Sequence, residues 1–580
     1  MWSLEMTERQ NMANKEASAN NTLTETGNWR LNWQWTNTAT YTKKIHEDHN
    51  ITVVLGTEAI KQGVGRYMQG TRIDYIFESD PNTWTLDNGS SSNIGNSSRY
   101  QRKVTMFGLF GRADYSYKGK YLATFTIRRD ASSKFGSKNR WGNFPSASLG
   151  WRMSDEKFME PTRKWLDDFK LRAGYGTTGN SNIGSYNYAF QYGTGNYYMY
   201  PITGSDSETS PGYVLSNLGD SDAKWETTKM FNIGFDLTAL SNRLTAGFDF
   251  YVKNTSDLLV PANWSALVGN ASKPSINIGD MKNRGVDLSI GWRDKVGEFG
   301  YNITANISRY KNEVTRLGSS DLFNDTRLSK VNITTVGQPV GMFYGYQIEG
   351  IYQNEQDVIS SGVLPYGVAT ENDLVASAWV GRYKMKDVNN DGKIDASDRT
   401  FIGNPHPDLT GGVNLSVGWK GFDLSTYLYF SVGNDIFAMY KYYTHYGSLQ
   451  SAYSKDRRDN SWSPENPNGI YPMWATATGE STIAANESNS SYIEDGSFLR
   501  MQTLTLGYTL PKAWMNKIKF DKIRIYGQIS NVFTLTGYSG LDPQVRTDDG
   551  SGNSKDRNMG TDYGSYGMPR QFILGVNVTF

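Results

Sequence analysis

Stretches of about ten residues, in which apolar residues alternate with small or polar ones, recur along this chain. In the last of them Phe572, Leu574, Val576, Val578 and Phe580 share one parity, and Ile573, Gly575, Asn577 and Thr579 share the other. Successive side chains of a strand point to opposite faces, so such a segment has one greasy side. The same pattern runs through Trp29, Leu31, Trp33 and Trp35, then Ile51, Val53 and Leu55. It returns at Phe107, Leu109, Ala113 and Tyr115, which turn through Lys118-Gly119 into Tyr121, Ala123, Phe125 and Ile127. Further stretches lie at 147–153, 169–175, 231–237, 244–252, 283–293, 300–312, 411–419, 422–432, 498–510, 522–531 and 570–580. The spacing predicts about 15 strands of the length used to cross a bilayer.

The connections alternate in length. Short ones fall at 118–120, 240–243, 294–299, 420–421 and 511–521. Long ones fall near 63–101, 129–145, 178–226, 256–282, 313–410, 433–497 and 532–569. Period-2 strands joined by alternating short and long loops predict an all-β fold, a transmembrane antiparallel β-barrel with short periplasmic turns and long external loops. On that reading the strands near 29–41 and 570–580 both run inward, so an outward strand is expected before residue 29. An open sheet would leave unpaired edges in lipid, where they cannot be satisfied. Residues 29–580 are therefore expected to be the C-terminal part of a larger barrel, and 1–28 a polar segment in an external loop at the start of a truncated region.

Composition sharpens this picture. Lys+Arg at 59 against Asp+Glu at 58 leaves a net charge of +1, so there is no electrostatic case for nucleic acid. No run of 18 apolar residues offers a transmembrane helix, and a mean hydropathy of −0.57 is compatible with strands that show lipid only every second residue. Aromatics at 13% and 59 Gly suit interfacial girdles and long loops. Cysteine is absent, which excludes disulfides, thiolate metal sites and a catalytic thiol. Met1 to Asn28 has no apolar core of a signal peptide.

One local motif carries candidate chemistry. Asp387, Asn389, Asp391, Lys393, Asp395 and Asp398, with Gly392, follow the spacing of a Ca2+ loop, Lys393 contributing its carbonyl. Position 12 is Asp rather than Glu and flanking helices are not evident, so an Asx/Gly-rich external turn is the competing reading. His46, His49, His406 and His445 form no zinc spacing. No phosphate loop, nucleophile elbow or paired-carboxylate arrangement is recognisable. Arg128, Asp236 and Asp249 sit at the parity that faces a barrel lumen and are candidate polar contacts. Tyr197, Tyr198 and Tyr200, and Tyr440, Tyr442 and Tyr443, lie in long loops, as sugar-stacking residues or as loop packing.

Several segments in order resemble one family. Arg129 to Gly136 (R-D-A-S-S-K-F-G), Trp141 to Ser146 (W-G-N-F-P-S) and Leu171 to Gly176 (L-R-A-G-Y-G) with Thr178-Gly179-Asn180 resemble the SusC/RagA family of TonB-linked outer-membrane transporters. So do Lys224 to Thr228, Asp387 to Asp398, Asp495 to Arg500, Asn531 to Phe533 and Gly540 to Pro543. The resemblance implies a 22-stranded barrel, a periplasmic TonB–ExbB–ExbD complex acting through an N-terminal plug, a SusD-like surface lipoprotein as lid, and an oligosaccharide or peptide as substrate. No plug domain, TonB box or signal peptide is read in these residues. No catalysis is expected. A passive porin, a secreted glycan-binding β-protein and an outer-membrane hydrolase are the rival readings.

Overall fold

The computed structural model describes residues 2–7, 20–75, 79–90, 94–101, 103–201, 209–261, 271–318, 321–324, 328, 330–446, 453–474, 487–545, 558–564 and 566–580. Its main sheet has 17 strands. The first eight are β1 (Trp2–Thr7), β2 (Thr22–Ile45), β3 (His49–Ile73), β4 (Gly95–Tyr100), β5 (Val104–Tyr117), β6 (Tyr121–Ser132), β7 (Trp141–Arg152) and β8 (Leu166–Asn180). Next come β9 (Glu226–Ala239), β10 (Leu244–Pro261), β11 (Ser275–Val296), β12 (Phe299–Arg316) and β13 (Leu409–Trp419). The last four are β14 (Phe422–Val432), β15 (Phe498–Thr509), β16 (Lys522–Thr536) and β17 (Gln571–Thr579).

Every alternating stretch read from the sequence lies in one of these strands, running past its ends by at most one residue. The differences are at the start. Residues 1–28, expected as loop, contain β1 and the beginning of β2, and β1 pairs antiparallel with β2 from Trp2↔Gly27 to Thr7↔Thr22. The expected long loop at 63–101 likewise contains the end of β3 and all of β4, paired from Arg66↔Tyr100 to Thr71↔Gly95. The reason is length. At 24 and 25 residues, β2 and β3 are more than twice what a bilayer crossing needs, and backbone pairing continues past the apolar stripe.

Neighbouring strands pair antiparallel wherever the register is defined. A two-residue turn joins Trp419↔Phe422 through Lys420 and Gly421, at φ 45° and 89°. Two consecutive positive φ values fit the turn whose twist matches a right-handed hairpin, and Gly421 supplies one of them without strain. β1 pairs with β2 from Trp2↔Gly27, and β17 with β16 from Thr579↔Lys522.

The chain divides into two compact units, one of Met1–Leu149, Gly174–Lys229 and Thr255–Gly279, the other of Gly150–Ala173, Met230–Asn254 and Asp280–Phe580. In both, one strand face shows large apolar side chains to the outside, such as Leu109, Phe125 and Ile127 in the first, and Ile233, Leu506 and Leu574 in the second. An apolar face exposed over so many strands is a lipid-facing surface. The buried cores lie instead among the long connections. In the first unit Phe135, Phe144, Ile183, Ala223 and Trp225 form one. Phe135 and Phe144 stand 5.2 and 5.4 Å from the Trp225 ring, whose Nε1 donates to the Arg140 carbonyl at 3.1 Å. Gly179 is required here: a Cβ on it would meet the Phe144 ring at 2.1 Å. Four of the sequence motifs thus converge on one aromatic cluster.

Candidate functional site

The polar strand face carries fixed charge clusters. In the first unit Arg128 on β6 donates to Asp130 at 2.7 and 2.9 Å and to Glu58 on β3, over the ring of Phe110. In the second unit Arg172 on β8 joins the two other candidates. Its Nη1 donates to Asp249 on β10 at 3.0 Å, and its Nη2 to Asp236 on β9 at 3.0 Å. Lys170 adds an ion pair to Asp236 at 3.0 Å, and Asn232 donates to Asp249 at 3.0 Å.

Asp236 and Asp249 therefore act as one cluster. Glu58, Asp130, Lys170 and Arg172 were missed by the sequence reading, although parity places each of them on the same polar face. The Arg172 and Asp236 side chains are 30% and 46% exposed, so each ion pair contributes about 0–1 kcal/mol to stability. What such clusters offer is a wall of oriented donors and acceptors for a polar solute.

The long connections of the second unit fold on one another. The 313–410 connection contributes strands Asn332–Thr334, Met342–Gly345 and Thr400–Gly403, with Met342–Gly345 pairing to both others. The 433–497 connection pairs Asp435–Phe437 with Ile493–Asp495. Bridges tie Tyr346 to Asn489 and Phe437 to Thr561, so three connections remote in sequence meet. Their shared core holds Phe343, Phe437, Met439, Tyr446 and Tyr492, with the Phe437 and Tyr492 rings stacked 5.0 Å apart. Arg457 is fully buried and donates to the carbonyls of His445 and Pro472 at 2.8 and 2.5 Å and to Ser461 at 2.6 Å. Lys441 pairs with Glu494 at 2.8 Å, and Arg399 pairs with Glu487. A buried charge needs its partners, so these pairs fix the loops in one arrangement.

Tyr440 and Tyr442 belong to this packing. Tyr442 lies against the core, and burial pushes the Tyr440 phenol up to about 12 while its oxygen meets Ser539 at 2.6 Å. The Tyr443 ring meets that of Tyr442 edge to face. The side chains of Tyr197, Tyr198 and Tyr200 lie outside the described residues. His445 is held between Thr444 and Ser454, and His406 between Tyr310 and the Val340 carbonyl.

The acidic loop is closed by its own hydrogen bonds. Asp387 accepts from the N–H groups of Asp391 and Gly392 at 3.2 and 2.8 Å, Asn389 from Asp391 at 3.0 Å, and Asp391 from Lys393 at 3.2 Å. Asp395 caps a short 3-10 turn through Ser397 at 2.8 Å, and that N–H with the Lys393 ammonium holds its carboxyl at about 2. Asp398 is fully buried, and its two oxygens accept from Val388 and Asp395 at 2.9 and 2.8 Å. The residue at position 12 thus faces its own backbone. Among the described residues no group of three or more His, Cys, Asp or Glu converges as a metal shell. The spacing of a Ca2+ loop is present, and its carboxylates accept from the loop's own N–H groups.

An exposed apolar strand face, a charged opposite face, short turns at one end and interlocked long connections at the other define the wall of an outer-membrane β-barrel. The TonB dependent receptor-like β-barrel family matches residues 3–532, and the chain belongs to it. Among curated relatives, TonB-dependent receptor P3 of Formosa agariphila is 33% identical over 494 residues, covering 83% of this chain and 46% of its own length. TonB-dependent receptor SusC of Bacteroides thetaiotaomicron is 30% identical over 501 residues, with 83% and 44% covered. The chain thus spans about half the length of the curated relatives it matches. The RagAB peptide transporter shares the fold at a TM-score of 0.78 and 24% identity, covering 100% of this chain and 58% of that one. Like its relatives, the protein resides in the outer membrane.

Proposed function

We propose that this chain supplies barrel wall and external loops to an importer that takes up oligosaccharides or peptides through the outer membrane. A SusD-like lipoprotein would capture the substrate, and TonB would supply the force. The observation that carries the reading is the external assembly, in which three connections share one aromatic core and buried ion pairs. Ordering that much backbone costs about 1–2 kcal/mol per residue, an expense that a simple diffusion pore has no need to meet. The peptide transport of RagAB is in keeping with the peptide class, and the oligosaccharide class rests on the SusC/RagA resemblance. The charged polar face supports hydrated substrates over apolar ones.

The 387–398 loop is, in this proposal, a self-supporting strut of that assembly, with no resident Ca2+. The test of function is disruption of the gene followed by mass-spectrometric depletion assays on oligosaccharide and peptide mixtures. Loss of uptake of one class, restored by the intact gene, supports the proposal; unchanged uptake of both removes it.

A further inference from the structure

We propose that the lipid-facing surface of the first unit carries a built site for one anionic, phosphate-bearing lipid of the outer leaflet. A groove of about 770 Å³ crosses β2, β3, β5, β6 and β7 there. Nine of its twelve lining residues are odd-numbered, the same parity as the exposed Leu109 and Phe125, and Thr38, Gly56 and Phe110 complete it. The strand register sorts them into two layers. Ala39, Leu55, Gly111 and Ile127 stand opposite one another in turn, and form an apolar floor. One layer outward, Asn37, Thr57, Leu109 and Arg129 do the same, and form a largely polar rim.

Gly111 makes the groove. A Cβ there would press on Leu55 Cδ2 at 3.3 Å, so any side chain would fill the floor that an acyl chain would occupy. Arg129 makes the rim selective. It is exposed on the lipid-facing side, lies 5.0 Å from the Trp141 ring, and has no carboxylate partner among the described residues. Eight residues separate it from Tyr121 at the short-turn end. At about 3.3 Å per residue and a tilt of about 40°, Arg129 stands roughly 20 Å up an apolar band about 25 Å tall. That is the depth at which a guanidinium reaches the phosphates of the outer headgroups while its stem stays in hydrocarbon. A cation facing lipid needs an anion, and a guanidinium with an adjacent interfacial Trp fits a phosphate on an acyl-bearing molecule.

The site is tested on the barrel extracted from outer membranes, by native mass spectrometry during titration with phosphatidylglycerol or phosphatidylcholine. Heat-modifiable gel mobility reports folding of each variant. The expected result is one retained phosphatidylglycerol, roughly tenfold weaker binding in Arg129→Gln, and retention in Arg129→Lys. Gly111→Leu should weaken it likewise; should that variant not fold, Ala39→Phe fills the same floor. Equal retention of the two lipids, binding unchanged in Arg129→Gln, or full displacement by inorganic phosphate at the lipid's own concentration would overturn the proposal.

Discussion

Replacing Arg500 with Met tests whether the external ends of the strands are locked by buried charge. Arg500 lies at the start of β15 with its side chain 3% exposed, and pairs at 2.5 Å with Asp542, whose side chain is 12% exposed. It also donates to Thr534 at 2.9 Å and to Gln544 at 3.1 Å, so one guanidinium ties β15, β16 and the connection after β16. Removing one partner of such a pair costs about 3–5 kcal/mol, because the other charge stays buried. The lower end applies here, since Asp542 still accepts from the N–H groups of Gln544 and Met568 at 2.9 and 3.0 Å. Burial opposes charge on Asp542, but Met568, Arg500 and Gln544 together outweigh it and hold the carboxyl below its ordinary range. A depressed carboxyl stabilises the fold above its unfolded value of about 3.9, and that contribution is lost as pH falls through the folded value. Urea unfolding in micelles, followed by heat-modifiable mobility from pH 7 downward, reads both effects. Arg500→Met should lose about 3 kcal/mol at neutral pH and show a shallower decline in acid. A loss under about 1 kcal/mol, or an unchanged acid profile, would refute the reasoning.

Three other outcomes follow from the same geometry. Trp225→Ala should cost about 3–5 kcal/mol by emptying the cluster around Phe135 and Phe144, as read by protease resistance of the first unit's external connections; wild-type resistance would contradict this. Burial holds the His406 imidazole below its ordinary value against the opposing hydrogen bond to Val340. The unfolded chain takes up that proton first, so stability should decline as pH falls below about 6.5, and His406→Gln should flatten the decline. Asp398→Ala should loosen residues 387–398 in hydrogen exchange, whereas a Ca2+ chelator should leave the wild-type loop unchanged; protection that rises with added Ca2+ would show that the loop takes the ion.

The strands were legible because lipid on one side imposes period 2 over most of their length. Phe572 to Phe580 and Phe107 to Tyr117 could hardly be read otherwise. The projecting ends of β2 and β3 escaped because Thr22–Gly27 and Gly65–Ile73 pair outside the apolar band, where no hydrophobic alternation marks them. Parity put Arg128, Asp236 and Asp249 on the polar face, yet it could not show that Arg172 joins the last two across three strands. The interlocked external connections were hidden for another reason: Phe343, Phe437 and Tyr492 meet from distant loops, and nothing local in the sequence announces that packing. The acidic loop displays a ligand spacing, while the inward turn of Asp398 depends on where Val388 and Asp395 place their N–H groups.

The central claim is energised import. Accumulation of a labelled oligosaccharide or peptide, from the class depleted by the wild type, should be measured in cells with and without functional TonB. The account predicts accumulation that requires both this protein and TonB. Entry that needs the protein but continues at the same rate without TonB would make it a passive pore, and would contradict the account.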